Sequence, residues 1–152
     1  MYATTDAPVV NALRTRPVWL VSVLAGLTAA AATELYGLAA RAVGIPMVAG
    51  NIGATTSGPI TVGMFAMGTL ICTFWGTVLA VLLARYATRP ARAYAWATVA
   101  LTVVSLAGPF GAGDTATSTK LMLAVAHLLA AGIVIPTVTR RLSHAPGRRG
   151  RR

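Results

Sequence analysis

Apolar residues fall in four long runs. Val18 to Ala40 is interrupted only by Glu34, and neither Ile60 to Ala84 nor Ala93 to Ala112 carries a charge. Leu121 to Thr139 contains one ionisable side chain, His127. A hydrocarbon core of ~30 Å takes ~20 apolar residues as a helix. Backbone N–H and C=O groups find no water there, so each run must close its own hydrogen bonds. Membrane strands would show alternating polar and apolar residues in segments of ~10. These runs are instead apolar on all sides. The pattern predicts an all-α integral membrane four-helix bundle over residues 17–142, with spans at about 18–40, 60–84, 92–111 and 120–140.

One stretch admits a second reading. Arg14 and Arg16, the apolar run Val18 to Leu27 and the small residues Ala29 to Ala32 have the layout of a cleavable signal peptide. Apolar character resumes after Glu34 and continues through Ala40, which fits a full span better.

Composition agrees with the spans. Of 152 residues, 56% are hydrophobic and 11% charged, outside the range of ordinary soluble domains. The net charge of +10 would fit nucleic acid, but its placement points elsewhere. Arg14 and Arg16 precede the first span, and Arg85, Arg89 and Arg92 lie between the second and third. Arg140, Arg141, Arg148, Arg149, Arg151 and Arg152 follow the fourth. Only Arg41 and Lys120 fall on the other side. This is the positive-inside pattern of a multi-pass cell-membrane protein with both termini cytoplasmic, N-in and C-in. No aromatic residues interleave with the tail arginines to stack on bases, so no nucleic-acid partner is expected. Residues 1–16 read as a cytoplasmic arm, and 143–152 as a basic disordered tail whose arginines either fix topology or meet anionic lipid. The single cysteine, Cys72, falls mid-span and reads as a small packing residue. There is no metal-ligand spacing and no glycine-rich phosphate loop, so no metal or cofactor is expected.

Small residues mark where helices meet. Gly26, Ala30 and Gly37 line one face of span one, and Gly68, Cys72 and Gly76 one face of span two. The short connection "RYATRPAR" makes spans two and three antiparallel neighbours, with Pro90 in the first turn of the third helix. Thr98, Thr102 and Ser105 form a face suited to bonds between helices. Trp19, Tyr86 and Tyr94 read as interface anchors, and Trp75 as packing. The first outer loop, "RAVGIPMVAGNIGATTSGP", is either a cap folded over the bundle or an ordinary exposed loop. Asp114 or a following threonine is placed to cap the fourth helix.

The candidate chemistry lies in the outer half. Glu34 falls on the wheel face of Gly26, Ala30, Gly37 and Arg41, facing the bundle. It sits roughly 9 Å below the outer end of span one, and His127 roughly 12 Å down span four, at 1.5 Å per residue. Arg41 lies two turns above Glu34, and Lys120 two turns above His127. Tyr36, Asn51 and Asp114 belong to the same level or the loops above it. A mid-bilayer charge costs ~3 kcal/mol, so a carboxylate there pairs with a cation or takes a proton. Glu34 and His127 are candidate catalytic groups. Tyr36, Arg41, Asn51, Asp114 and Lys120 are candidate binding groups. The structural alternative pairs Glu34 with Arg41 and has His127 bonding a threonine across the bundle.

The segments "ELYGLAARAVGIPM" and "AHLLAAGIVIPTVTRRL" resemble a family of small actinobacterial membrane proteins catalogued as a domain of unknown function. The matching positions are Glu34, Tyr36, Gly37, Arg41, Gly44, Pro46, His127, Pro136, Arg140 and Arg141. The resemblance implies a four-span membrane protein and no activity. A looser architectural similarity links the chain to small multidrug-resistance exporters, four-helix proteins with a glutamate in the first helix. This chain has a longer first loop, its Glu34 is nearer the outer end, and the exporter motifs around the glutamate are missing.

Three functions stay open. One is a non-catalytic membrane protein that acts as a partner subunit or homo-oligomer. Another is an isomerase or cyclase acting on a lipophilic small molecule through Glu34 and His127. The third is a proton-coupled exporter. The expected partners are the lipid bilayer and, for the latter two, a lipophilic small molecule.

Overall fold

Each apolar run closes into a helix, and the residues at the helix ends explain where each stops. The computed structural model describes residues 16–144. Most of the expected arm, residues 1–15, and the tail beyond His144 lie outside the described residues. Helix α1 spans Val18–Ala42. It ends in a Schellman motif: Gly44 takes φ +84°, its N–H bonds Arg41 O at 3.1 Å, and Ile45 N–H bonds Ala40 O at 3.1 Å. Ile45 then packs on Ala40, and Pro46 bars any continuation.

The chain next forms a short antiparallel pair, β1 (Val48–Ala49) with β2 (Gly58–Pro59), in which Val48 faces Pro59 and Ala49 faces Gly58. Helix α2 follows as Met64–Tyr86 and α3 as Pro90–Ser105, with Pro90 at its N-terminus as expected. A brief α4 covers Ala107–Gly111, and α5 runs Thr117–Ser143. Four stretches are long and apolar enough to cross a membrane, α3 and α4 together forming the third. The molecule is an all-α four-helix membrane bundle.

The third span breaks at Leu106 for two reasons. Pro109 has no N–H for the Ser105 carbonyl, and its ring would strike that group. Thr98, Thr102 and Ser105 also turn their hydroxyls back onto carbonyls of their own helix, those of Tyr94 (2.7 Å), Thr98 (2.8 Å) and Thr102 (2.7 Å). Such back-bonding bends helices. These hydroxyls were expected to bond between helices and are instead spent within one.

Helix α1 is the centre of the bundle. In its apolar window 39% of residues are buried, against 11% for α2 and for the third span. It packs on α2 and α5, while α3 leans mainly on α5 and meets α2 only sparsely. The α1 small-residue face works as expected. A Cβ at Gly26 would strike the Thr73 side chain, and one at Gly37 would lie 2.7 Å from the Phe65 ring. Thr33 and Thr69 hydroxyls meet at 3.0 Å across this seam. The α2 face meets no such partner: Gly68 and Cys72 are exposed, with nothing within 4 Å of a Gly68 Cβ.

Two apolar clusters divide the interior. Near the α2–α3 connection, Ala25, Ala80, Tyr94, Val138 and Leu142 close the core. Tyr94 is fully buried, so it is a core residue and not an interface anchor. Trp75 is 65% exposed and turned to the bundle exterior, edge-on to Phe74. At the opposite, cap end, Ala40, Phe65, Met122 and Ala126 pack with Tyr36, Ile45, Met47 and Ile60.

Candidate functional site

The connection between α1 and α2 is a cap. Its backbone is stitched to the segment between α4 and α5. Gly53 N–H donates to Gly111 O (3.0 Å), Gly113 N–H to Asn51 O (2.9 Å), and Ile52 bridges Ala112. Gly50 N–H donates to Thr115 Oγ1 (2.9 Å), and that hydroxyl donates to Gly113 O (2.7 Å). The two strands of backbone touch so closely that a Cβ on Gly50 would strike the Gly113 carbonyl, and one on Gly113 the Ala54 carbonyl. Thr119 Oγ1 donates to Pro46 O at 2.6 Å, latching the cap to α5. Of the two forms open to the loop, the folded-over one is what the chain adopts.

Under this cap lies an open depression of about 270 Å³. Ala49, Gly50, Asn51 and Ile52 line it from the cap, Gly108, Pro109 and Ala112 from the α4 region, and Leu123 and His127 from α5. The Leu106 break is what leaves α4 as its wall. His127 Nδ1 lies 2.8 Å from Leu123 O, and because a carbonyl only accepts, Nδ1 carries the proton. Nε2 is the ring nitrogen left for a ligand.

Glu34 does not line the depression. Its carboxylate accepts from Gly63 N–H (2.7 Å) and Ala66 N–H (3.1 Å), at the start of α2. That helix begins without a capping side chain of its own, and Gly63 takes φ +93°. Its first N–H groups have no partner within the helix, and its dipole favours negative charge at that end. Bonds to a charged acceptor contribute about 1.5–3 kcal/mol each, which offsets the cost of carrying a carboxylate within an apolar helix. The acid in the alanine-rich helix thus supplies the capping acceptor that α2 lacks among its own side chains.

The other sequence candidates are dispersed. Arg41 Nη2 donates to Ile60 O at 3.0 Å, so it pins the cap instead of pairing with Glu34. Tyr36 packs into the cap-end cluster. Asp114, at φ +43°, accepts from Ser57 Oγ at 2.7 Å and does not cap α5, whose N-cap is Ala116. Lys120 is half-buried in the first turn of α5. His127 and Asn51 share the depression, while Glu34 and His127 are each bonded elsewhere. The other lining residues, among them Ile52, Gly108, Pro109 and Leu123, are apolar or glycine and gave no chemical signal in the sequence. Glu34's role did leave one: "ITVGMF", where α2 begins, offers no Ser, Asp or Asn at the capping position.

Residues 13–144 match the model of a family of unknown function (DUF6069). The chain belongs to that family. The match takes in every described helix and the whole cap. No curated protein and no solved structure matched the chain.

Proposed function

We propose that the protein is a non-catalytic, multi-pass cell-membrane protein whose cap faces the outside and whose capped depression binds a small lipophilic molecule. The arginine distribution supports that orientation, N-in and C-in. The observation that carries the reading is the division of labour between the two candidate groups. Glu34 is occupied as the N-cap of α2, whereas His127 stands with Asn51 beside the depression. An acid–base pair needs both groups within reach of one substrate. A binding pocket needs an apolar lining with a few polar groups, which is the composition here.

Photolabelling in nanodiscs with a small alkyl diazirine, followed by mass spectrometry, tests the site. Adducts should concentrate on residues 49–52 and 108–112 and fall away in Gly108→Leu, since Gly108 lines the depression and the open space around its Cβ admits the larger side chain. Labelling spread evenly over the exterior of α2 and α3 would sink the reading. A reporter fused after Arg152 should report from the cytoplasm.

A further inference from the structure

The composition of the depression narrows its ligand further, resting on the binding role proposed above. We infer that it takes a neutral lipophile bearing a hydroxyl group, and that the hydroxyl donates to His127 Nε2. With Nδ1–H committed to the Leu123 carbonyl, a ring carrying a single proton offers Nε2 only as an acceptor. The ligand group that meets it must be a donor. None of the nine lining residues is Lys, Arg, Asp or Glu. A carboxylate or ammonium would therefore enter without a fixed counter-charge, which is costly in an apolar site. Ala49, Ile52, Pro109, Ala112 and Leu123 match a hydrocarbon body. At about 270 Å³ the space is smaller than typical ligand pockets of ~300–1,000 Å³, so the molecule is compact. Asn51, exposed at the edge, carries an amide N–H that can donate to the oxygen of such a hydroxyl.

The test uses the full chain in phosphatidylcholine nanodiscs, with empty nanodiscs correcting for partitioning. Three probes share one skeleton: geraniol, its methyl ether and geranic acid. Geraniol should bind about ten-fold more tightly than the ether, the value of one hydrogen bond in an apolar site. That preference should vanish in His127→Phe, while Gly108→Leu should weaken every probe. Unchanged helicity by circular dichroism qualifies each variant for comparison. If alcohol and ether bind equally, or the acid binds tightest, while Gly108→Leu still weakens binding, the hydroxyl assignment is overturned and the site stands. If no probe binds, or binding ignores both substitutions, the site itself is overturned, and the hydroxyl assignment with it.

Discussion

The two seams of α2 are unlike each other. Toward α1 it presents Phe65, Thr69 and Thr73, which fill the spaces over Gly37 and Gly26 and share a hydroxyl bond with Thr33. Glu34 ties the same seam at the cap end. Toward α3, its neighbour in sequence, contacts are few; among them Tyr94 packs in one cluster with Ala80 and brings its hydroxyl beside Gly76. A short loop holds two helices near one another, but only complementary surfaces hold them together. Lipid tails are as apolar as leucine, so burying apolar area does not drive helices together here. Close packing and hydrogen bonds do.

That contrast can be broken at four points. The largest effect should come from Tyr94→Ala, which removes a large, fully buried side chain packed between α2, α3 and α5. Truncation of a buried aromatic costs about 3–5 kcal/mol, read as lowered stability in detergent denaturation. Tyr94→Phe should not reproduce it, because the hydroxyl has no hydrogen-bond partner among the described residues. A small loss for the alanine variant would mean that the sparse seam is held by its loop alone. Next is Glu34→Ala, which strips two charge-assisted bonds from the start of α2 and should cost about 3 kcal/mol. Glu34→Gln, keeping one acceptor oxygen, should lose less. Equal losses would show that the carboxylate acts through something other than the cap.

Gly37→Ala is third. Its new Cβ would crowd the Phe65 ring, and overpacking of that kind costs about 1–3 kcal/mol. Because Phe65 directly precedes Ala66, the shift should also loosen the Glu34 bond, and combining Gly37→Ala with Glu34→Ala should give less than the sum. Smallest is Gly68→Leu. With open space around it, the change should stay within about 0.5 kcal/mol, measured by the same denaturation. A large loss would show that this glycine face is covered.

The spans were readable because lipid imposes one simple demand, closure of backbone bonds within apolar runs, and run length satisfies it visibly. Which neighbour a face meets was harder to read. Gly26–Ala30–Gly37 and Gly68–Cys72–Gly76 look equivalent along the chain, yet the first is filled by Thr73 and Phe65 of α2, whereas in the second Gly68 and Cys72 are exposed. Periodicity reveals that a smooth face exists, not what lies opposite. Glu34 illustrates a second limit. A search for its partner among cations leads to Arg41 or His127, whereas the partners are N–H groups of Gly63 and Ala66, which every non-proline residue carries. The third span was drawn unbroken through Ser105 because Pro109 lies among apolar residues. Composition registers its hydropathy and misses the bond it cannot donate. The depression was half visible, through Asn51 and His127. Its apolar walls come from three distant segments.

The unequal lengths of the third span and α5 carry a consequence for the surrounding lipid. At 1.5 Å per residue the 22 residues of the third span rise about 33 Å, and the 27 of α5 about 40 Å. A hydrocarbon layer of ~30 Å therefore matches the first of these closely and is overshot by the second, so α5 must tilt or carry its polar ends beyond the layer. Reconstitution across a series of acyl-chain lengths should then place the stability maximum in bilayers thinner than α5 alone would choose.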